Sequence, residues 1–178
     1  MTQKRPGMAA KSVKDMVLSL AAVMLAGLVI YYFIPHSGGN GVHAVQGGIA
    51  SSVDSARRAA PYPVLAPSDL PKGWTATAVN YDGMDATDAQ WTLGYIDPKG
   101  AYVSVQQSNG TAGPFISSVT TSGVKVSGTS TVNGAVWAHY QGTNYRALVL
   151  ETPKVTTVVT GTESFAAMEY FASTLRSS

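Results

Sequence analysis

From Met16 to Ile34 the chain reads MVLSLAAVMLAGLVIYYFI, 19 residues without a charged side chain. A helix rises about 1.5 Å per residue, so this run nearly covers a hydrocarbon core of roughly 30 Å and predicts a single transmembrane helix. Ser19 does not spoil the span, because a lone serine can bond a carbonyl in the preceding turn. Tyr31, Tyr32 and Phe33 stand at its C-terminal end, where amphipathic rings favour the headgroup layer, and Pro35 stops the helix. Lys4, Arg5, Lys11 and Lys14 precede the run, whereas the first basic residue after it is Arg57. The positive-inside bias then makes 1–15 a cytoplasmic basic tail and 16–34 a single pass through the plasma membrane, with everything from Pro35 extracytoplasmic.

A cleaved signal peptide is the competing reading, with Val42 and Ala44 as a small-residue pair. The apolar run exceeds the roughly 7–15 residues of a signal core, and Ala44 lies ten residues past its end. Ala22 and Ala26 form a small-xxx-small pair that could pack two helices, although alanines are ordinary in an apolar helix. The chain contains no cysteine, which removes an acylated anchor, a disulfide framework, a thiolate metal site and a cysteine nucleophile. Its net charge of +2 divides unevenly. Four basic side chains oppose Asp15 in 1–34, Arg57 and Arg58 oppose Asp54 in 35–61, and six basic oppose eight acidic side chains in 62–178. The folded part is therefore acidic and carries no basic stripe, which speaks against nucleic acid as a partner.

Beyond the membrane run, 35–61 reads as a flexible stalk. Residues 36–48, HSGGNGVHAVQGG, are rich in glycine and lack periodicity, and His36 and His43 read as solvated linker residues. Within the stalk, 49–60 has Ile49, Val53, Ala56 and Ala60 at the spacing of a short helix. Pro61, Pro63, Pro67 and Pro71 then impose an extended path into the domain, 62–178.

That domain alternates β-branched and aromatic runs with turn formers. Strands are predicted at Trp74–Tyr81, Gln90–Ile96 and Ala101–Ser108, the last setting Val103 and Val105 against Ser104, Gln106 and Ser108 as if one face were wet. Pro114 to Val119 suggests a short helix with proline in its first turn. Further strands follow at Val124–Val126, Ser130–Val132, Ala135–Gln141, Tyr145–Glu151 and Val155–Thr160, with Asn133-Gly134 as a two-residue hairpin turn. Thr162 suits the cap of a last helix in which Phe165, Met168, Phe171, Ala172 and Leu175 form one apolar face, with Glu163 and Arg176 at the favoured ends. The expected fold is α+β: a twisted antiparallel sheet of about six to eight strands packed on one face against one or two helices.

No nucleophile elbow, zincin helix or Walker loop occurs, and neither a metal nor a cofactor is implied. His139 is the one histidine of 62–178, on a strand face shared with Trp137 and Gln141 and opposite Val136, Ala138 and Tyr140. Asp82, Asp85 and Asp88 recur every three residues, but their spacing departs from that of a calcium loop, and a solvated connection explains them. Asn109-Gly110-Thr111 fits an N-glycosylation acceptor. Thirteen aromatics lie in 62–178. Trp74, Trp91, Tyr95, Trp137 and Tyr140, with His139, are the candidate ligand- or partner-binding residues; core packing of a small sheet is the alternative.

Lys11-Ser-Val-Lys-Asp-Met-Val-Leu-Ser-Leu20 leads into the membrane run, and Pro63-Val-Leu-Ala-Pro67 continues into Leu70-Pro-Lys-Gly-Trp74. With Trp91-Thr-Leu-Gly-Tyr95, Val132-Asn-Gly-Ala-Val-Trp137 and Val158-Val-Thr-Gly-Thr162, these segments resemble, in order and spacing, the actinobacterial membrane-anchored proteins grouped as domain of unknown function 4245. The resemblance covers nearly the whole chain. It implies an N-in single pass with an extracytoplasmic domain, and it supplies no catalytic residues. A looser similarity, to extracytoplasmic sensor-like and lipoprotein-carrier-like domains of bacteria, implies a curved sheet on helices that holds an apolar ligand or a partner. The leading expectation is a noncatalytic binding or accessory module at the cell envelope, acting on a partner protein or a lipid-like ligand. The alternatives are an envelope hydrolase using His139 with a loop carboxylate such as Asp88, and a structural subunit of a membrane complex.

Overall fold

The computed structural model describes residues 48–177, together with Met16, Val17, Leu20, Val23 and Met24 ahead of them. Those five are helical and exposed. The remainder of the 16–34 run, with Ala22 and Ala26, the tail 1–15 and stalk residues 35–47 with His36 and His43 lie outside the described residues. Among the described residues no helix is long and apolar enough to cross a membrane. The chain divides into two compact units, Met1–Gly41 and Val42–Ser178.

The second unit is α+β. Its sheet has seven antiparallel strands: β2 (Thr75–Asp82), β3 (Gln90–Ile96), β4 (Tyr102–Ser108), β5 (Val124–Val132), β6 (Ala135–Gln141), β7 (Arg146–Glu151) and β8 (Thr156–Gly161). They lie in the order β2-β3-β4-β8-β7-β6-β5, so the two strand runs read from sequence fuse where β8 pairs with β4. A separate two-stranded pair joins β1 (Ala66–Pro67) to β9 (Leu175–Arg176). The helices are α1 (Ile49–Ala59), α2 (Ala112–Val119) and α3 (Phe165–Ser173).

The register builds one continuous apolar row across the centre, Leu93, Val105, Val159 and Leu148, each fully buried. Val53 and Ala56 of α1 and Met168, Phe171 and Ala172 of α3 complete that cluster. The folded unit therefore includes α1, which the sequence assigned to the stalk, and begins ahead of residue 62. Expecting helices on one face is corrected as well: Phe115 and Ile116 of α2 cover the opposite face, on Ala147, Val149 and Val158. That cover also changes β4. Ser104 and Ser108 are buried, not wet, because their hydroxyls find partners beneath the helix: Ser104 donates to the Thr160 carbonyl at 3.4 Å and Ser108 to Asp88 Oδ1 at 2.8 Å. Alternation of valine and serine looks the same in water and in a satisfied interior.

Local chemistry explains the element ends. Asn133 and Gly134 adopt φ of 51° and 78°, the left-handed pair that a two-residue hairpin turn requires. The last helix is capped by Ser164, whose Oγ accepts from the Ala167 N–H at 3.3 Å. Thr162, the residue expected there, instead accepts the Tyr102 N–H at 3.1 Å and closes the end of β4. Leu175 leaves the helix for β9 and buries itself opposite Pro67. Both edge strands are irregular, β2 between Ala76 and Ala78 and β5 between Lys125 and Thr129, which blunts edge-to-edge pairing.

Phe171 sits at the centre of the helix–sheet contact, its ring 5.8 Å from Trp74 and 6.0 Å from Tyr95. Phe171→Ala is expected to lower the unfolding free energy of the full chain in neutral detergent by about 3–5 kcal/mol. Tyr170→Ala, at the exposed neighbouring position, should stay within about 0.5 kcal/mol of the parent in the same denaturant titration.

Candidate functional site

The candidate aromatic residues separate between two sheet faces. Trp74, Trp91, Tyr95 and Trp137 belong to the cluster under α1 and α3, whereas Tyr140 packs on the other face against the cluster that Phe115 and Ile116 of α2 form with Ala147, Val149 and Val158. Trp91 is buried, and its indole N–H donates to the Leu65 carbonyl at 2.9 Å. Burial pushes the Tyr95 hydroxyl above its ordinary pKa. These rings fill the helix–sheet interface.

His139 pairs with Leu148 across β6 and β7, so it faces α3, and its ring stacks on Phe165 with centroids 4.0 Å apart. Its Nε2 lies 2.6 Å from Ser130 Oγ on β5, and the same hydroxyl donates to Glu169 Oε1 of α3. Serine has one hydroxyl proton, and an ionised carboxylate can only accept. With that proton on the Glu169 side, the imidazole contact is satisfied by Nε2–H donating to Oγ. The order is therefore Glu–Ser–His, with the serine proton directed away from the histidine, whereas a general base would have to receive it. Next to this chain of bonds the Trp137 indole N–H is buried without an acceptor among the described residues. What the arrangement does directly is tie the middle of α3 to the β5–β6 hairpin.

Asp88, named with His139 as a hydrolytic pair, is elsewhere. From β6 to β3 the register crosses four strand spacings, roughly 19 Å. Asp88 accepts from Ser108 Oγ at 2.8 Å and from Gln90 Nε2 at 3.3 Å. Asp82 accepts the Met84 N–H at 3.1 Å, and Asp85 accepts the Thr87 N–H at 2.8 Å and hydroxyl at 2.7 Å. The Thr87 bonds hold the Asp85 carboxyl below its usual range. The three carboxylates thus serve separate turns, and among the described residues no three metal-type ligands gather. Asn109 uses both the nitrogen and the oxygen of its amide on the same loop, donating to the Ala86 carbonyl and accepting the Ala89 N–H, both at 2.8 Å.

A polar group that sequence reasoning missed organises the approach to the sheet. Gln107 is buried; its Nε2 donates to the Pro63 carbonyl at 3.2 Å and to Thr157 Oγ1 at 3.3 Å, and its Oε1 accepts the Leu65 N–H at 2.7 Å. The Tyr62 hydroxyl donates to the carbonyls of Ala89 and Gln107. The signal was parity: Gln107 shares the face of Val103 and Val105, and a polar residue on an apolar stripe needs partners. Ser130 was also legible, since the Asn133-Gly134 turn sets it opposite Trp137 and next to His139. Nothing local marks Glu169, which reaches the cluster only through the docking of α3.

The surface carries open clefts. One of about 410 Å³ lies between α1 and β2, lined by Ser51, Ser55, Val79 and Tyr81. Another, of about 430 Å³, lies between α1 and the β1–β9 pair and includes Arg57, Tyr95 and Arg176. Neither is lined by Ser130, His139 or Glu169.

The model of the protein family described as "Protein of unknown function (DUF4245)" matches residues 9–175. The chain belongs to that family. Its match begins ahead of the apolar run and ends in β9, so the family takes in both the N-terminal segment and the sheet domain. No curated protein matches the chain at a significant level.

Burial, reinforced by Tyr81 and Asp88, pushes the Tyr62 hydroxyl well above its ordinary pKa of about 10. The folded state then keeps this proton while the unfolded chain releases it, so the contribution to stability is intact below about pH 10 and is lost as the pH rises beyond it. Thermal unfolding of the full chain in neutral detergent should show a midpoint that falls from about pH 9 to pH 11. The fall should be shallower in Tyr62→Phe, and an unchanged slope in that variant would assign it to other groups.

Proposed function

We propose that this DUF4245 protein is a single-pass plasma-membrane protein with a cytoplasmic N-terminus, and that its folded unit is a noncatalytic binding or accessory module at the cell envelope. Its partner in this reading is a protein. The observation that carries this choice is the filled interface between sheet and helices. Trp91, Trp137, Phe171 and Met168 occupy the space where an apolar ligand of a carrier-like fold would lie. Recognition then falls to the outer surface, where Val124, Val136, Tyr170 and Met84 stand exposed. The uncharged 19-residue run and the basic tail before it support the topology.

A second reading, an envelope hydrolase, is favoured by one contact, Ser130 Oγ to His139 Nε2 at 2.6 Å. The direction of the serine proton opposes it, as does the Phe165 ring stacked on the imidazole.

Cross-linking in intact cells, followed by purification in detergent, tests both readings. The full chain is expected to carry a cross-linked protein that a chain ending at residue 47 does not, and His139→Ala should retain it. Identical products from the two chains, or copurified lipid without protein, would contradict the binding reading. Loss of about 100-fold or more in hydrolysis of an ester probe on both His139→Ala and Ser130→Ala would move the assignment to the hydrolase.

A further inference from the structure

Two clefts, of about 460 and 430 Å³, run beside α2 and share Gln90 and Ser118, so they adjoin as one groove over β3 and β4. Among the described residues Asp88 is the one charged side chain that lines it, at the end where α2 begins. The far end is set by the central strand. Gly161, the last residue of β8, pairs with Val103 of β4 on one side and with Arg146 of β7 on the other. Tyr102 and Tyr145, one residue beyond each, therefore flank the end of β8 at two strand spacings, roughly 10 Å, and both line the groove. The Tyr102 ring lies across Gly94, where an added Cβ would come within 2.8 Å of its hydroxyl and 3.0 Å of its ring edge. Glycine at that position leaves room for a ring laid along the sheet.

The polar groups of the groove are only partly spent. Gln106 donates to Ser104 Oγ and Gln90 to Asp88 Oδ1, both at 3.3 Å, and neither amide oxygen accepts a hydrogen bond among the described residues. The hydroxyls of Tyr102, Tyr145 and Thr121 have no partner among those residues either. Thr121 is held with φ of 54°, a conformation that β-branched residues rarely adopt. Amides and hydroxyls that both donate and accept, two phenol rings and no cation suit a neutral ligand with hydroxyl edges and flat C–H faces. A phosphate would meet Asp88 without a counter-charge, and a hydrocarbon chain would leave the amides unmatched. We infer that this groove binds a neutral oligosaccharide, its sugar rings against Tyr102 and Tyr145 and its polar substituents on the amides of Gln90 and Gln106. Sugars bearing N-acetyl groups and sugars bearing hydroxyls alone share this chemistry. The site does not depend on the protein partner proposed above.

The test uses the full chain in nanodiscs of phosphatidylcholine, titrated calorimetrically with chitotetraose, maltotetraose, tetragalacturonate and tetra-alanine. At least one of the two neutral saccharides should saturate with a Kd below about 1 mM. Binding of chitotetraose alone assigns the Gln90 and Gln106 amides to N-acetyl groups, and binding of maltotetraose assigns them to hydroxyls. Tetragalacturonate should bind about tenfold or more weakly, because its carboxylates face Asp88, and tetra-alanine should give no saturable heat. Tyr145→Ala and Gln106→Ala should each weaken the better saccharide by about fivefold or more, whereas Tyr170→Ala, outside the groove, should match the parent. If Gln106→Ala loses the fold, Tyr145, in the connection before β7, decides alone. No saturation by either neutral saccharide up to about 10 mM overturns the inference. So does an affinity unchanged in Tyr145→Ala, or tetragalacturonate or tetra-alanine binding as tightly as the better saccharide.

Discussion

Strand β8 enters the sheet between β4 and β7, and its pairing with β4 joins two meanders into one structure. The six residue pairs of that seam, Val103–Gly161 through Ser108–Thr156, bring together segments more than 45 residues apart in the chain. The seam is made by a strand buried at every position, TTVVTG. Such a strand needs cover on both faces, and this is why helices lie on both. Gly161 ends it because a side chain there would collide with the Tyr102 carbonyl. The seam also carries Gln107, which faces Thr157 across it and anchors the proline-rich approach through Pro63 and Leu65. Core, chain entrance and the platform for α3 all follow from this pairing.

The same economy bears on function. A small domain without cysteine must hold together by packing and satisfied polar groups, and its tryptophans and buried hydroxyls are committed to that task. Ser130, His139 and Glu169 look like reaction chemistry when read as residue types, yet their connectivity fastens a helix to a hairpin. Arg57 of α1 donates to the Arg176 backbone carbonyl and ties the helix to β9.

Strand positions were largely legible in the sequence because turn chemistry is local. Asn133-Gly134, Asp97 to Gly100 and the proline segment each announce themselves, and the strands fell within a residue of their observed bounds except one: Val124–Val126 and Ser130–Val132, read as separate strands, are the single β5, whose register is irregular between Lys125 and Thr129. Strand order was not legible, since the β4–β8 seam depends on which buried strand finds which. Ser104 and Ser108 were expected in water, because small polar side chains fit an interior as well as a surface once their bonds are met, and 49–60 was expected in the stalk, because Val53 and Ala56 are buried only through tertiary docking. The DUF4245 membership was legible from ordered landmarks spread along the chain, no one of which is specific. The candidate site was partly legible: His139 was singled out in the sequence, Gln107 and Ser130 were passed over although parity and turn position mark them, and Glu169 arrives only with the docking of α3.

The proposed role requires the folded unit and the basic tail to lie on opposite sides of the membrane. The absence of cysteine makes this directly measurable. Thr2→Cys and Ser177→Cys, introduced singly, can be labelled in intact cells with a membrane-impermeant maleimide. The proposed topology predicts that Ser177→Cys is labelled at once and Thr2→Cys only after the membrane is opened. Labelling of Thr2→Cys in intact cells, or protection of Ser177→Cys until permeabilisation, would contradict it.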